Sequence, residues 1–368
     1  MLDCALTPRA CSDPRAPTHY KKPSSAPAFP MSAFPISGPT GYGLMSLTAR
    51  PEPVPREQAF AAINNAIKDG VSLLNGGEFY GPNFFNPDPT VEKRPFENLK
   101  LLQAYFAKYP ENRSKVSVCI KGCVTPTGPD CSPEAVKRSI ENIASFFPGN
   151  KFELFEAGRM DAKTPVEEFV KACIPFIEKG VIKGISLSEV NANTIRRAAA
   201  VYPISCVEVE LSLWSTDILK NGIMDTCREL KIPIVAYSPL GRGYLTGKIN
   251  TIDDLPPNDL RRMFDRFASQ EAIDANKHLL ERIGKLARKK GCTMAQIALS
   301  WVRTFNEYPE KYATVIPIPS ASTPERNHEN NTHIKLSREE FEELNRAVQE
   351  CQVYGGRYSA RFAGLLNG

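Results

Sequence analysis

Histidines and long apolar runs are both scarce in this chain. Its 368 residues include only four histidines, and there is none between positions 19 and 278. No apolar run approaches the roughly 20 residues of a membrane-spanning helix. Acid–base chemistry in most of the chain must therefore use other side chains, and we expect no membrane partner. The histidines are His19, His278, His328 and His333.

The ten cysteines never form a C-x-x-C pair. The two closest in sequence, Cys119 and Cys123, flank Lys121 and have no histidine near them. Metal sites need several ligands at characteristic spacings, so the sequence favours buried, reduced thiols, and we predict no metal. Without a recognisable secretory signal, this composition predicts the cytoplasm or the nucleus, although the first residues leave organelle targeting open.

Charge is nearly balanced along the chain. Lys and Arg total 46 against 41 Asp and Glu, and the small excess is scattered. We therefore expect no nucleic-acid partner. With 42% hydrophobic residues, the composition is that of an ordinary globular protein, and the length allows one large domain or two of usual size.

Residues 1–36 differ in composition from the rest. Eight of the 31 prolines fall in the first 40 residues, mixed with serine, alanine and arginine. Such a stretch cannot bury enough apolar surface to order itself. Its acid-poor character would also suit a targeting segment, but it has little helical amphipathicity. We predict a disordered extension over residues 1–36 and a single domain over 37–368 that ends in a C-terminal tail.

From residue 40 onward, short apolar runs alternate with segments of helical period. Helix starts are marked, for example by Ser132-Pro133-Glu134, which supplies an N-cap serine and a first-turn proline. This alternation predicts a parallel sheet, and eight repeats predict a closed (β/α)8 TIM barrel rather than an open doubly wound sheet. The candidate strands are residues 41–45, 71–75, 115–121, 152–157, 182–187, 204–210, 232–237 and 313–318, and the candidate helices include 56–69, 133–146 and 165–179.

The segment Gly241-Arg242-Gly243 tests the alternative of a Rossmann sheet. The fingerprint G-x-G-x-x-G follows the first strand of such a sheet. Here Thr246 stands in place of the third glycine, and the segment follows the seventh candidate strand. The dinucleotide fingerprint is therefore absent.

Tyr80 and Lys121 lie where a TIM barrel places its reacting groups, at the carboxyl ends of strands. They belong to neighbouring candidate strands, so their side chains can meet. A tyrosine has a pKa near ~10, and a nearby ammonium group lowers it. We predict that Tyr80 and Lys121 form an acid–base pair.

The loops after strands seven and eight form a candidate phosphate site, as in many TIM barrels. They are residues 238–243 and 319–322, and a short helix with Arg326 in its first turn follows the second loop. Free N–H groups at a helix start, together with a guanidinium, can hold a dianionic phosphate. An ordinary solvated helix start is the alternative.

Several of these segments resemble the aldo-keto reductase family over residues 38–350. They are LLNGGEFYG at 73–81, GISLSEV at 184–190, IVAYSPLGRG at 234–243 and PIPS at 317–320. The resemblance implies an NADPH-dependent reductase of small carbonyl compounds, in which Tyr80 protonates the carbonyl oxygen and Lys121 lowers the pKa of Tyr80. It also implies cofactor contacts for Ser188, Glu189, Glu208, Tyr237, Ser238, Leu240, Gly241, Gly243, Ser320, Ser322, Arg326 and Asn330.

Three positions depart from the family pattern. The family usually has aspartate at the position of Asn75, histidine at that of Gly158 and often glutamine at that of Glu208. Asn75 thus occupies a third catalytic position. Without the aspartate we expect the Lys121 ammonium to lack a negative partner, which would make Tyr80 more acidic.

Two features make the sequence most similar to one branch of the family, the fungal pyridoxal reductases. They are the missing histidine and the segment Gly355–Tyr358. That branch implies reduction of pyridoxal to pyridoxine with NADPH. Glu156 and Arg159, beside the gap at Gly158, are candidate contacts for polar groups of the substrate. A broad aldehyde or ketone reductase and a slow, cofactor-sensing regulatory subunit on the same barrel stay open.

Overall fold

Eight parallel strands follow one another around one sheet in the order of the chain. The computed structural model describes residues 33–84, 92–257, 259–351 and 353–359. Each strand pairs in parallel with the next, as crossover connections require. All eight overlap the candidate strands. They are β1 (Tyr42–Gly43), β2 (Leu73–Gly77), β3 (Ser117–Gly122), β4 (Leu154–Ala157), β5 (Gly184–Ser188), β6 (Ile204–Glu210), β7 (Ile234–Tyr237) and β8 (Val315–Pro317).

Two hydrogen bonds join the first strand to the last. The Gly41 N–H donates to Pro317 O at 2.9 Å, and the Gly43 N–H donates to Pro319 O at 3.2 Å. A Cβ at Gly43 would lie 2.8 Å from the carbonyl oxygen of Ile318, so glycine allows this close approach of the two backbones. The ring of strands is closed, and the predicted (β/α)8 TIM barrel is confirmed.

Helices alternate with the strands and begin at the capping residues that the sequence indicates. The Ser132 side chain accepts a hydrogen bond from the Ala135 N–H at 3.3 Å. The α-helices are Met45–Thr48, Arg56–Lys68, Glu97–Lys108, Pro133–Ser145, Val166–Glu178, Ala192–Val201, Ile223–Glu229, Gln270–Ala275, Lys277–Lys290, Met294–Thr304, Pro324–Asn331 and Arg338–Glu350. Short 3-10 turns are Pro110–Lys115, Pro148–Asn150, Asp217–Leu219, Gly241–Thr246, Ile252–Asp254, Leu260–Met263, Asp265–Phe267 and Phe305–Glu307, and a small hairpin pairs Val124–Thr125 with Gly128–Pro129.

One apolar cluster joins residues from several strands, with Leu73 of β2 and Leu154 of β4 among its members. Phe34 and Ile36 pack against this cluster. Both belong to the predicted extension, so the packed chain includes residues that precede position 37. The remainder of that extension, residues 1–32, lies outside the described residues.

Within the ranges described, eight cysteines are free thiols, and six of them are buried. They act there as small apolar side chains. No helix in the same ranges is long and apolar enough to cross a membrane. No three His, Cys, Asp or Glu side chains of the described residues come together as metal ligands.

Candidate active site

A buried ion pair built from three strands lies at the carboxyl end of the barrel. Lys121 of β3 donates to Asn75 Oδ1 of β2 and to Glu208 Oε2 of β6, both at 2.6 Å. Asn75 Nδ2 closes the triangle by donating to the same Glu208 oxygen at 2.6 Å. Each of the three residues is 3% exposed. The structure therefore brings Asn75 and Lys121 together, as neighbouring strand ends predict, and adds Glu208.

The expectation that Lys121 lacks a negative partner is wrong. Glu208 lies 2.6 Å from its ammonium nitrogen, and a second carboxylate oxygen, from Glu156, lies 3.5 Å away. Burial lowers the pKa of Lys121, but Glu208, Tyr80 and Glu156 outweigh that effect and hold the pKa well above its usual value. Glu208 thus supplies the negative charge that Asn75 lacks.

Tyr80 is held beside this pair through its backbone and by a glycine. Its carbonyl oxygen accepts hydrogen bonds from the Asn98 N–H at 3.0 Å and from Thr48 Oγ1 at 3.2 Å. The Lys121 ammonium lies 5.9 Å from the centre of the Tyr80 ring. A Cβ at Gly77 would lie 2.9 Å from ring atoms of Tyr80, so a side chain there would displace the ring. The sequence analysis gave no role to Asn98 or Thr48.

The Tyr80 phenol is protonated at neutral pH. Burial raises the pKa of Tyr80 to about 12, and Lys121 offsets only part of that rise. The expected acidification of Tyr80 is therefore not found. A phenol that keeps its proton can donate it to a reacting oxygen, and the nearby Lys121 ammonium would stabilise the phenolate that results.

Packing leaves no room for a side chain at Gly158. A Cβ there would lie 2.8 Å from Val124 Cγ2 and 2.9 Å from Phe79 Cε1. Phe79 packs edge-on against Tyr80, with ring centres 5.0 Å apart. Aromatic and aliphatic groups therefore fill the space beside Gly158, and an imidazole there would require a different arrangement of Phe79.

Glu156, a candidate substrate contact, is buried beside Lys121. It is 0% exposed and accepts a hydrogen bond from Ser186 Oγ at 2.5 Å. Burial, with a further contribution from Glu208, raises the pKa of Glu156 to about 8 against the opposing effect of Lys121. These surroundings therefore favour the protonated form of Glu156.

Three of the predicted cofactor residues, Ser188, Glu189 and Tyr237, lie at the ends of β5 and β7. The Tyr237 hydroxyl donates to Glu189 Oε1 at 2.8 Å, and Ser188 Oγ accepts from Arg159 Nη1 at 3.2 Å. Glu189 and Ser238 have φ values of 51° and 49°. Such left-handed backbone is strained in residues other than glycine and is common at functional sites.

The loop after β7 turns tightly through three consecutive left-handed residues, Gly241, Arg242 and Gly243. The Leu240 carbonyl accepts from the Gly243 N–H at 3.0 Å. A Cβ at Gly241 would lie 2.9 Å from the indole of Trp214, so the backbone passes directly over this ring. The predicted residues of this loop therefore form one compact turn next to Tyr237.

The predicted phosphate residues after β8 lie near the start of the helix Pro324–Asn331. Ser320 Oγ donates to Gly43 O at 2.5 Å, and the Ser322 carbonyl accepts from Gln58 Nε2 at 2.7 Å. The Thr323 side chain caps the helix by accepting from the Arg326 N–H at 3.3 Å. Arg326 is exposed in the first turn. Asn330, the last predicted residue, is buried near the helix end.

Residues 357 and 358 lie at the mouth of the barrel, in contacts that the sequence did not predict. Arg357 binds both oxygens of Glu189, at 2.9 and 3.1 Å. Burial raises the pKa of Glu189, but Arg357 brings it below its usual value. The neighbouring Tyr358 hydroxyl lies 3.2 Å from that of Tyr237. The sequence analysis singled out the motif Gly355–Tyr358, but it did not indicate which residues this motif would contact.

Comparison with known proteins places this geometry in a family. The aldo/keto reductase family model matches residues 39–349. The chain belongs to the aldo/keto reductase family. It is therefore an oxidoreductase of small carbonyl compounds that uses a nicotinamide cofactor, as the resemblance implied.

Two fungal relatives cover nearly the whole sequence. "Probable pyridoxal reductase 2" of Schizosaccharomyces pombe is 38% identical over 341 residues, which are 90% of this chain and 97% of that protein. "Putative pyridoxal reductase" of Saccharomyces cerevisiae is 39% identical over 346 residues, 87% and 95% of the two chains. Among solved structures, a glycerol dehydrogenase from Gluconobacter oxydans superposes with a TM-score of 0.71 at 19% identity, covering 86% of this chain and 93% of its own, which supports the fold.

Replacing Glu208 with glutamine should remove most activity and destabilise the protein. Removing one partner of a buried ion pair costs about 3–5 kcal/mol, because the other charge stays buried. Chemical denaturation and turnover measure the two effects. Glu156→Gln is the matched control, because its surroundings favour the protonated form of Glu156 and an amide of the same shape replaces it.

The raised pKa of Glu156 predicts that the stability of the protein depends on pH. The pKa of Glu156 is about 8 in the folded protein against 4.5 as the reference value. Its contribution to stability is full below pH 4.5 and is lost as the pH rises through 8, because only the folded state must give up a tightly held proton. Glu156→Gln should therefore flatten the fall in stability over this range. Equal destabilisation by both variants at pH 7 would contradict this assignment of charges.

Proposed function

We propose that this protein reduces pyridoxal to pyridoxine with NADPH, and that Tyr80 is the proton donor. The observation that carries the proposal is the neutral Tyr80 phenol beside the buried, charged Lys121. The two fungal relatives named as pyridoxal reductases support the choice of substrate. The packing at Gly158 further supports a reaction that proceeds without an imidazole.

Two parts of the site fit a phosphorylated dinucleotide. The tight glycine turn at 241–243 follows Tyr237 closely in the chain, and the first turn of Pro324–Asn331 presents N–H groups and the Arg326 guanidinium. Bound there, the cofactor supplies the hydride. The residues proposed to hold it are Ser188, Glu189, Glu208, Tyr237, Ser238, Leu240, Gly241, Gly243, Ser320, Ser322, Arg326 and Asn330.

The protein's own part in the reaction is to deliver a proton. Tyr80 donates its hydroxyl proton to the carbonyl oxygen, which gains negative charge as the carbonyl carbon is reduced. The Lys121 ammonium then faces the new phenolate, and their attraction lowers the energy of the charge-separated state. Asn75 and Glu208 keep the ammonium in place through their 2.6 Å contacts.

Turnover of pyridoxal should exceed that of simple aldehydes. The loss of NADPH absorbance, followed with pyridoxal and with a panel of unsubstituted aldehydes and ketones, measures this preference. Faster turnover of the simple aldehydes would favour a broad reductase. Tight NADPH binding with no oxidation by any substrate would favour a regulatory subunit.

Tyr80→Phe should abolish turnover while leaving cofactor affinity unchanged. The substitution keeps the ring that packs on Gly77 and Phe79 but removes the only proton that we assign to the reaction. Steady-state rates and a fluorescence titration with NADPH measure the two properties. Retained activity would show that another group is the acid.

Arg326→Ala should weaken the binding of NADPH much more than that of NADH. Only NADPH carries the 2′-phosphate, and a charge-assisted hydrogen bond contributes about 1.5–3 kcal/mol. Titration of both cofactors against the variant and the parent protein measures the difference. Arg338→Ala, an exposed arginine at the start of another helix, is the control. Equal losses for the two cofactors would remove Arg326 from the phosphate site.

A further inference from the structure

Arg159 places a guanidinium at the mouth of the barrel, directly after Gly158. Its Nη1 donates to the Gly158 carbonyl at 2.6 Å and to Ser188 Oγ at 3.2 Å. Its Nη2 has one long contact in the described structure, 3.4 Å to the Tyr358 hydroxyl. Arg159 lies close enough to Tyr80 to favour the ionised form of that phenol. The Gly158 carbonyl and Ser188 therefore fix Nη1, while Nη2 makes only the long contact with the Tyr358 hydroxyl.

A second guanidinium, from Arg242, approaches the same place. It lies 4.8 Å from the centre of the Tyr358 ring and 4.2 Å from that of Phe264. Its only nearby carboxylate oxygen in the described structure is Glu210 Oε2, at 3.7 Å. Arg357, by contrast, is committed to Glu189 by two hydrogen bonds. Compared with Arg357, Arg159 and Arg242 therefore have the less compensated charges.

An aromatic hydroxyl already occupies the space between these two cations. The Tyr358 oxygen lies 3.4 Å from Arg159 and 3.2 Å from the Tyr237 hydroxyl. Burial raises the pKa of Tyr358, but Arg242 and Arg159 more than offset it, and the net pKa lies below its usual value. The surroundings therefore stabilise the anionic form of a phenol, although the ring is enclosed.

We propose that Arg159, with Arg242, forms a subsite for an ionised hydroxyl on an aromatic ring. The subsite selects aryl aldehydes with an acidic hydroxyl beside the aldehyde, and the hydroxyl of such a substrate takes the place of the Tyr358 hydroxyl. This proposal rests on the proposed reductase function and assigns the specificity of that site. With the ring hydroxyl on Arg159, an adjacent aldehyde is directed toward Tyr80.

A pair of aldehydes that differ by one oxygen tests the subsite. The unmodified enzyme should prefer 3-hydroxypyridine-4-carbaldehyde to pyridine-4-carbaldehyde in kcat/KM. Arg159→Gln should lose about tenfold or more on the hydroxylated aldehyde, since it forfeits a charge-assisted hydrogen bond, and should change little on the other. Arg159→Lys should recover part of the preference. Equal losses on both aldehydes would overturn the proposal and give Arg159 a general role.

Binding of a ligand that cannot react separates the subsite from the reductase function. Calorimetry on the protein with NADP+ should show that 3-hydroxypyridine binds more tightly than 3-methoxypyridine, which has no ionisable hydroxyl. Arg159→Gln should remove this difference, and Tyr358→Phe should strengthen 3-hydroxypyridine binding because the competing hydroxyl is gone. Equal affinities for the two ligands in the unmodified protein would overturn the subsite even if turnover is found. Selective binding without turnover would instead count against the reductase function.

Discussion

The buried ammonium of Lys121 constrains the whole mouth of this barrel. A charge that is 3% exposed must be both paired and hydrogen-bonded, because its desolvation costs several kcal/mol. Asn75 satisfies one of its donors but brings no charge. Glu208, on β6, provides the negative charge. Its contact with Lys121 connects β3 with β6 and also fixes the position of the ammonium group near Tyr80.

Charge balance around Lys121 explains the protonation states of the neighbouring side chains. One ammonium neutralises one carboxylate, and here that carboxylate is Glu208, whose Oε2 lies 2.6 Å from Lys121 Nζ. Glu156 is 3.5 Å away and fully buried, so ionising it would leave an excess negative charge, and its protonated form is favoured. Tyr80 stays neutral for a related reason, since Lys121 is already paired and only partly offsets the burial of the phenol. The site therefore rests with a proton available on Tyr80.

Parallel register explains how much of the site the sequence could predict. Gly77 pairs with Lys121, and Tyr80 follows three residues later, so strand order alone brings the tyrosine and the lysine together. Glu208 is 87 residues from Lys121, and their contact depends on closure of the barrel, which local periodicity does not encode. The contact between Arg357 and Glu189 spans 168 residues and is set by the path of the tail. Likewise, average composition over 1–36 concealed the two apolar residues that pack against the apolar cluster, Phe34 and Ile36.

The departures from the family pattern are coupled by packing and charge, so they cannot be reversed one at a time. An aspartate at position 75 would place a second carboxylate within hydrogen-bond distance of Glu208, where only one negative charge is neutralised, and one of the two would have to hold a proton. A histidine at position 158 would collide with Phe79, which also positions Tyr80. The asparagine and Glu208 form one unit, and Gly158 and Phe79 form another. The first unit holds the Lys121 ammonium by charge and hydrogen bonds, and the second holds the Tyr80 ring by packing, so the two catalytic groups are positioned by different physical interactions.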